Sequence, residues 1–222
     1  MNKVIEVKNL VKEYKGKRAV DDLSFDVYEG EILGLLGPNG SGKSTTINSI
    51  LSLLKYQKGS IKIFGKEMTP DSYDIKSKIG VIFQDVAVFD ELNVYDNIDY
   101  FCGLYITDKD KRKKYVKDAI DLVGLNDFVK FYPKQLSGGQ QQRVAIARSI
   151  INNPKFIIAD EPTGALDTHT SEEIMKLFEE LNQQDGATII LVTHDPEVVP
   201  YCHRLIRIRD GAIIEDKELS KS

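Results

Sequence analysis

Residues 37 to 45 read Gly37-Pro38-Asn39-Gly40-Ser41-Gly42-Lys43-Ser44-Thr45, which fits the phosphate-cradling pattern G-x-x-x-x-G-K-[ST] at Gly37, Gly42, Lys43 and Ser44. Few patterns constrain a fold more tightly. The backbone must bend sharply and bring its N–H groups against phosphate oxygens with no Cβ in the way, and it does this between a buried strand and a helix. The flanks supply both elements. Ile32, Leu33, Leu35 and Leu36 form a short apolar run before the glycines, and Thr46 to Leu54 carry apolar residues at helical spacing after them. A helix beginning near Lys43 adds unpaired N–H groups and the positive end of its dipole. Lys43 then reaches the β- and γ-phosphates, and the Ser44 hydroxyl ligates Mg²⁺. A chance Gly/Ser turn containing a lysine is the competing reading, and the strand–loop–helix order weighs against it. The pattern implies a nucleotide triphosphatase on an α/β body.

At 222 residues the chain has room for one large domain or two modest ones. The net charge is −4 and the 30 Lys and Arg residues are dispersed, unlike the basic stripe of a protein that tracks nucleic acid. The densest basic stretch, Lys109 to Lys117, with Tyr115 and Val116 inside it and Ala119 and Ile120 just beyond, has apolar residues at helix-like spacing, so it reads as the solvated face of an amphipathic helix. No apolar run approaches the roughly twenty residues needed to cross a bilayer. Met1 to Glu6 is too charged for a signal peptide. Cys102 and Cys202 lie far apart with no ligand cluster around them. These features predict a soluble, reduced cytosolic chain with two packing cysteines.

Val4 to Val7, the alternation Leu23, Phe25, Val27, and Ile61 to Phe64 read as half-buried antiparallel strands. Lys78 to Phe83, Phe156 to Ala159 and Thr188 to Val192 are short apolar runs, and the last two lead into acidic or histidine-bearing loops, as buried parallel strands do. Leu205 to Arg209 and Ala212 to Glu215 are joined by Asp210-Gly211, which favours a tight hairpin. Between Gln84 and Gln135 helical segments take over, around Val94 to Tyr105, Lys111 to Val123 and Asn126 to Phe131, with Asn93 as a cap for the first. The expected organisation is a helical insertion within one α/β unit. No internal repeat is present.

Other charged and glycine-bearing elements fall at strand ends. Asp160 and Glu161 follow the strand at 156–159, where open α/β folds bind ligands. Adjacent residues leaving a strand point different ways, so one can hold Mg²⁺ while the other faces an attacking water; an exposed acidic turn before Pro162 is the alternative. Leu136-Ser137-Gly138-Gly139-Gln140 stands before a helical pattern over Gln141 to Ile151 and offers a second anion-binding terminus, or else an ordinary serine cap. His194, in "VTHD", suits a γ-phosphate or the attacking water, although a histidine after a strand is often structural. Gln84, ending "VIFQ", can reach Mg²⁺ or water. Tyr14 either stacks on adenine or is a strand-edge tyrosine.

As a set, these segments resemble the nucleotide-binding subunit of ATP-binding cassette (ABC) transporters, over essentially the whole length from Val4 to about Glu215. GPNGSGKST (37–45) resembles Walker A, Gln84 the Q-loop, LSGGQQQR (136–143) the family signature, FIIADE (156–161) Walker B, GALD (164–167) the D-loop and His194 the switch histidine; Tyr14 falls where the family places its adenine-stacking aromatic. The resemblance implies an α/β P-loop NTPase with an ABC ATPase core: a mostly parallel sheet, an antiparallel β subdomain and a helical subdomain inserted at about 85–150, all in one domain spanning 1–222. It implies ATP and Mg²⁺, with Ser44, Gln84 and Asp160 at the metal, Glu161 activating water, Gln84 and His194 sensing the γ-phosphate, and Asp167 coupling two sites. It further implies a head-to-tail pair, most simply two copies of this chain, with each ATP between one P-loop and the partner's LSGGQ. Integral membrane permease subunits would hold the pair at the cytoplasmic face of the membrane, with no role for nucleic acid.

Residues 85–100, with Val86, Val88 and Phe89, are expected to receive a coupling helix from the permease. Departures from the family pattern are small: Ser149 stands where alanine is common and Asn93 where threonine is common. "ILGLLGPNGSGKSTTINSI" resembles drug-exporter cassettes, whereas the stretch from "ADEPTGALD" to "THDPE" resembles macrolide-exporter and lipoprotein-release cassettes, so export is expected rather than import. The chain stops soon after the terminal hairpin, as a minimal cassette would.

Overall fold

The computed structural model describes residues 2–219. The chain opens with β1 (Lys3–Tyr14), β2 (Lys17–Tyr28) and β3 (Ile32–Leu36), continues through α1 (Lys43–Ile50), β4 (Lys58–Ile63), β5 (Lys66–Glu67), a single turn α2 (Tyr73–Lys76) and β6 (Ile79–Ile82), and then becomes helical in α3 (Val94–Gly103), α4 (Lys109–Leu122) and α5 (Gly138–Ile150). It ends with β7 (Phe156–Asp160), α6 (Thr168–Asp185), β8 (Thr188–Thr193), β9 (Arg204–Arg209) and β10 (Ala212–Glu218).

The strands sort into two sheets according to how many faces they bury. β2, β1, β4 and β5, in that order, pair antiparallel. The larger sheet has the order β10-β9-β3-β8-β7-β6. All its neighbours are parallel except β10, which returns antiparallel on β9. Its central strands are buried on both faces, so they read as unbroken apolar runs. Alternate residues serve different cores. Leu33, Leu35, Ile158, Ile190 and Val192 pack towards the antiparallel sheet with Ile5, Leu10 and Phe25. Ile32, Leu36, Ile157, Ala159, Ile189 and Leu191 pack towards the helices with Ile98, Val116, Val144 and Phe178.

The expected strands all form, with different limits. β1 runs well past Val7 because the alternation is broken, not ended: the register shifts between Val7 and Leu10, and Asn9 (φ 48) faces Asp22 (φ 53) across the irregularity through a 2.9 Å side-chain bond. The Asp210-Gly211 hairpin is present, with φ of 51 and 82 as its turn type requires. The helix after the P-loop closes at Ile50, short of Leu54, and the segment at 126–131 tightens into one 3₁₀ turn, Asn126–Phe128. α5 starts at Gly138, three residues before Gln141. α6 was not anticipated, although Ile174, Leu177, Phe178 and Leu181 fall at helical spacing and are buried.

Asn93 caps α3, accepting a bond from the Asp96 N–H at 2.8 Å. One turn on, Asn97 is 1% exposed and anchors the loop that precedes the helix. Its amide nitrogen donates to the carbonyls of Phe89 (3.0 Å), Leu92 (2.8 Å) and Asn93 (3.1 Å), and its Oδ1 accepts from the Phe89 N–H (2.9 Å). Asn97→Ala leaves several buried backbone groups unpaired, so we expect a loss of about 2–3 kcal/mol. Thermal denaturation should show the lower stability, and hydrogen exchange should show the Phe89 amide opening faster than those of β7.

Candidate functional site: a phosphate cradle at the carboxyl edge of the parallel sheet

The P-loop leaves β3 and is fastened by backbone groups from remote parts of the chain. The Gly37 N–H donates to the Thr193 carbonyl (3.2 Å), and the Ser41 carbonyl accepts from the Gly211 N–H (2.9 Å), whose own carbonyl accepts from Asp21 N–H (2.9 Å). Gly42, the residue before α1, has φ +105, and a Cβ there would lie 2.3 Å from the Ala19 carbonyl oxygen. A side chain at this position is excluded both by dihedral and by space. The pattern residue is therefore a glycine because the antiparallel sheet presses on it.

Lys43 is 5% exposed. Its ammonium donates to the carbonyls of Gly37 (2.6 Å) and Pro38 (3.2 Å) and lies 3.9 Å from Glu161 Oε1. Burial lowers its pKa, opposed by the negative charges of Glu161 and Asp160. Asp160 ends β7. Burial raises its pKa, a hydrogen bond from Ser44 pulls it back down, and the neighbouring Glu161 pushes it up again. Its Oδ1 is buried and has no hydrogen-bond partner among the described residues.

Glu161 turns away from Asp160 because its backbone is left-handed, at φ 50, with its N–H bonded to the Val192 carbonyl at 2.7 Å. Such a conformation in a glutamate stores strain and is characteristic of functional sites. Its carboxylate is 8% exposed, accepts from the Thr193 hydroxyl (2.8 Å) and lies 3.0 Å from His194 Nδ1. The imidazole itself is about half exposed. Thr193 was not singled out in the sequence. Its place in "VTHD", one residue before the histidine, is the signal that points to it.

A cavity of about 150 Å³ opens over this group, lined by Ala19, Asn39, Gly40, Gly42, Lys43, Ser44, Thr45, Gln84 and Glu161. Pro38, Ser41 and Gly37 form the supporting turn beneath it, and the buried Ser41 Oγ is without a partner among the described residues. Tyr14 is not in the lining; it ends β1 with its ring half exposed and the Lys12 ammonium 4.8 Å from the ring centroid.

Residues 136–140 do not line the cavity either. Ser137 caps α5, accepting from the Gln140 N–H (3.2 Å), while Gln140 Oε1 accepts from the Ser137 N–H (2.8 Å). The serine cap, the alternative reading of this segment, is thus real, and the first-turn N–H groups of Gly138 and Gly139 have no acceptor within the helix. Gly139 abuts α6: a Cβ there would lie 2.3 Å from Thr170 Cγ2. Asp167 caps α6, accepting from the Thr170 N–H (3.0 Å) and hydroxyl (2.7 Å), and these bonds hold its carboxyl below the usual range. The candidate residues therefore form two groups: the P-loop, Gln84, Asp160, Glu161 and His194 in one, and 136–140 with Asp167 in the other.

The first group fits a nucleotide triphosphate with Mg²⁺. Its loop offers backbone N–H groups and a buried ammonium to phosphate oxygens, and Ser44, Gln84 and the unpartnered oxygen of Asp160 are oxygen donors for a hard cation. Among the described residues no three His, Cys, Asp or Glu side chains gather as a metal cage. Mg²⁺ is commonly held by one or two protein oxygens together with those of the substrate.

Comparison with known proteins agrees. The family model described as "ABC transporter" matches residues 20–164. The chain is 41% identical over 220 residues to the cell division ATP-binding protein FtsE of Streptococcus pneumoniae, covering 96% of this chain and 95% of that one. It is 38% identical over 221 residues to the methionine import ATP-binding protein MetN of Carboxydothermus hydrogenoformans, covering 96% of this chain and 66% of that one. A dimeric post-hydrolysis structure of the ATP-binding cassette MJ0796 bound to ADP and Pi superposes with a TM-score of 0.87 at 35% identity, covering 97% of this chain and 99% of that one. With its P-loop fold, its ATP- and Mg²⁺-binding cradle and this match across most of its length, the chain belongs to the ABC transporter family, as an ATP-binding subunit.

Proposed function

We propose that this chain hydrolyses ATP to ADP and phosphate as the motor subunit of an exporter, two copies closing head to tail around two ATP molecules and driving separate membrane subunits. The observation that carries the dimer is the division of the site. The cavity over the P-loop is open on one side, and residues 136–140, whose helix start offers unsatisfied N–H groups, lie outside it. A second copy turned head to tail would bring its 136–140 segment to the open side. The dimeric structure of the similar cassette MJ0796 with ADP and Pi supports the pairing of two copies.

In this reading Gly37, Pro38, Asn39, Gly40, Ser41, Gly42 and Thr45 wrap the phosphates with backbone N–H groups, and Lys43 exchanges its carbonyl partners for phosphate oxygens. Ser44, Gln84 and Asp160 hold Mg²⁺, which supplies charge neutralisation on the phosphate oxygens. Glu161 takes a proton from the attacking water. Thr193 and His194 orient its carboxylate, and the left-handed backbone aims it into the cavity rather than along the strand. His194 and Gln84 report the state of the γ-phosphate, Asp167 links the two half-sites, and Tyr14 stacks on adenine.

Coupling to the membrane follows from the segment after Gln84. Phe89 is 41% exposed and packs on Tyr100 and Phe101. Beside it runs an apolar groove of about 340 Å³ lined by Leu51, Leu53, Ile82, Phe83, Phe101 and Tyr105, between the parallel sheet and the helical segment. A short helix of a permease would fill it. Val86 and Val88 are half buried and shape the loop rather than the contact. The helical segment from about 85 to 150 is then the arm that carries the motion. Export is supported by the likeness of residues 32–50 and 159–197 to exporter cassettes. The 38% identity to MetN favours a second reading, uptake by the same motor.

Glu161→Gln should retain ATP binding, accumulate a dimer visible by size-exclusion chromatography with ATP, and lose turnover by about 10²-fold or more; undiminished turnover removes Glu161 from its role. Phe89→Asp should abolish transport by the complex while leaving ATP affinity intact, and a parallel loss of both would make Phe89 merely core. The dimer trapped by Glu161→Gln should copurify a multispanning membrane protein. ATPase activity of that complex in vesicles should rise with cargo supplied from the nucleotide side or within the membrane; stimulation only from the opposite side would establish uptake.

A further inference from the structure

The lysine-rich start of α4 is left unused by the ATPase chemistry. Arg112 pairs with Asp99 (2.8 Å) and Lys117 with Asp121 (2.5 Å). Lys109, Lys111, Lys113 and Lys114 are all exposed, and none makes an ion pair among the described residues. Helix physics disfavours three of the four there, whereas Lys114 has Asp110 and Asp118 at i±4. Lys109 and Lys111 face the positive end of the helix dipole. Lys109 with Lys113, and Lys113 with Lys117, are like-charge pairs at i,i+4. The cap offsets part of the cost, because Asp108 accepts from the N–H groups of Asp110 (3.0 Å) and Lys111 (2.9 Å). Folding alone favours acidic residues in this turn, which holds Asp110, and an anionic partner would relieve the repulsion among Lys109, Lys113 and Lys117.

The loop that leads into α4 turns apolar side chains outward beside the lysines. Leu104 is 62% exposed and Tyr105 50% exposed. Tyr105 also lines the groove assigned to the permease, so the patch is continuous with that face. A single-stranded nucleic acid would need a run of free aromatic faces to stack upon. Leu104 offers none, Tyr100 is already packed edge-on against Phe89 and Phe101, and Tyr105 beside it is a single exposed ring. Exposed leucine and tyrosine flanked by long lysine stems match an interfacial lipid contact instead, where apolar groups enter the headgroup layer and ammonium groups reach the phosphates.

We propose that the α3–α4 corner, with Leu104, Tyr105, Lys109, Lys111, Lys113 and Lys114, rests on an anionic lipid surface beside the permease. The chain as a whole carries a charge of −4 and is repelled by such a surface, so a local patch of this kind also orients it, groove towards the membrane. Only that orientation rests on the permease reading; lipid contact is measured without any permease, so failure of one does not imply failure of the other.

The test is cosedimentation of the full chain with vesicles of phosphatidylcholine alone or with about 30% phosphatidylglycerol. Binding is expected to the anionic vesicles only and should weaken steeply as salt shortens the screening length. Each lysine is worth about five-fold, so K109Q/K111Q/K113Q/K114Q should lose at least about ten-fold while keeping its ATPase rate. L104S/Y105S should weaken binding, and K58Q/K62Q/K130Q/K176Q should not. Equal binding to both vesicles, no effect of the α4 substitutions, or tighter binding to duplex DNA or polyglutamate than to anionic vesicles would each overturn the proposal.

Discussion

The site depends on pressure applied to the P-loop from behind. A turn of nine residues has no core of its own, and here its geometry is imposed by the Thr193 carbonyl at one end, the Gly211 N–H in the middle and the Ala19 carbonyl against Gly42. These contacts come from β8, from the terminal hairpin and from the antiparallel sheet. The two sheets and the last hairpin must therefore all be in place before the loop can present its N–H groups. Pre-organisation of this kind removes the ordering cost from ligand binding and leaves donors fixed where charge arrives.

The second constraint is electrostatic. Lys43, Asp160 and Glu161 share a poorly solvated pocket, where burial disfavours the charged forms of Lys43 and Asp160 and the opposite charges around the ammonium offset part of its cost. An ammonium 3.9 Å from one carboxylate and bonded to two carbonyls is only partly compensated. A polyanion with its cation would complete the set: phosphate oxygens would satisfy the ammonium, and Asp160 would offer its idle oxygen to the metal.

The fold was readable wherever burial is two-sided or a turn has special chemistry. The runs at 156–159 and 188–192 became central strands because both their faces are covered, and Asp210-Gly211 became a hairpin because few other dipeptides tolerate both dihedrals. The extent of β1 was hidden, since the irregularity at Asn9 breaks the two-residue period that sequence reasoning relies on. α6 has helical spacing, but its start is a cap, Asp167, whose place in the GALD motif points to chemistry rather than to a helix end. For the site, the P-loop, the Asp160-Glu161 pair and His194 were legible as motifs. Thr193 and Ala19 were not, because a threonine in a strand and a backbone carbonyl carry no pattern; only the folded geometry puts them against Glu161 and Gly42.

The tight seat of Gly139 on Thr170 has a mechanical meaning. With less than a methyl group's clearance between the start of α5 and the first turn of α6, the two helix ends cannot slide past each other. Asp167, bonded to that same threonine, is carried along with them. The helix start at 136–140 and the Asp167 carboxylate are thus held as one unit, so loosening either end of it would release both.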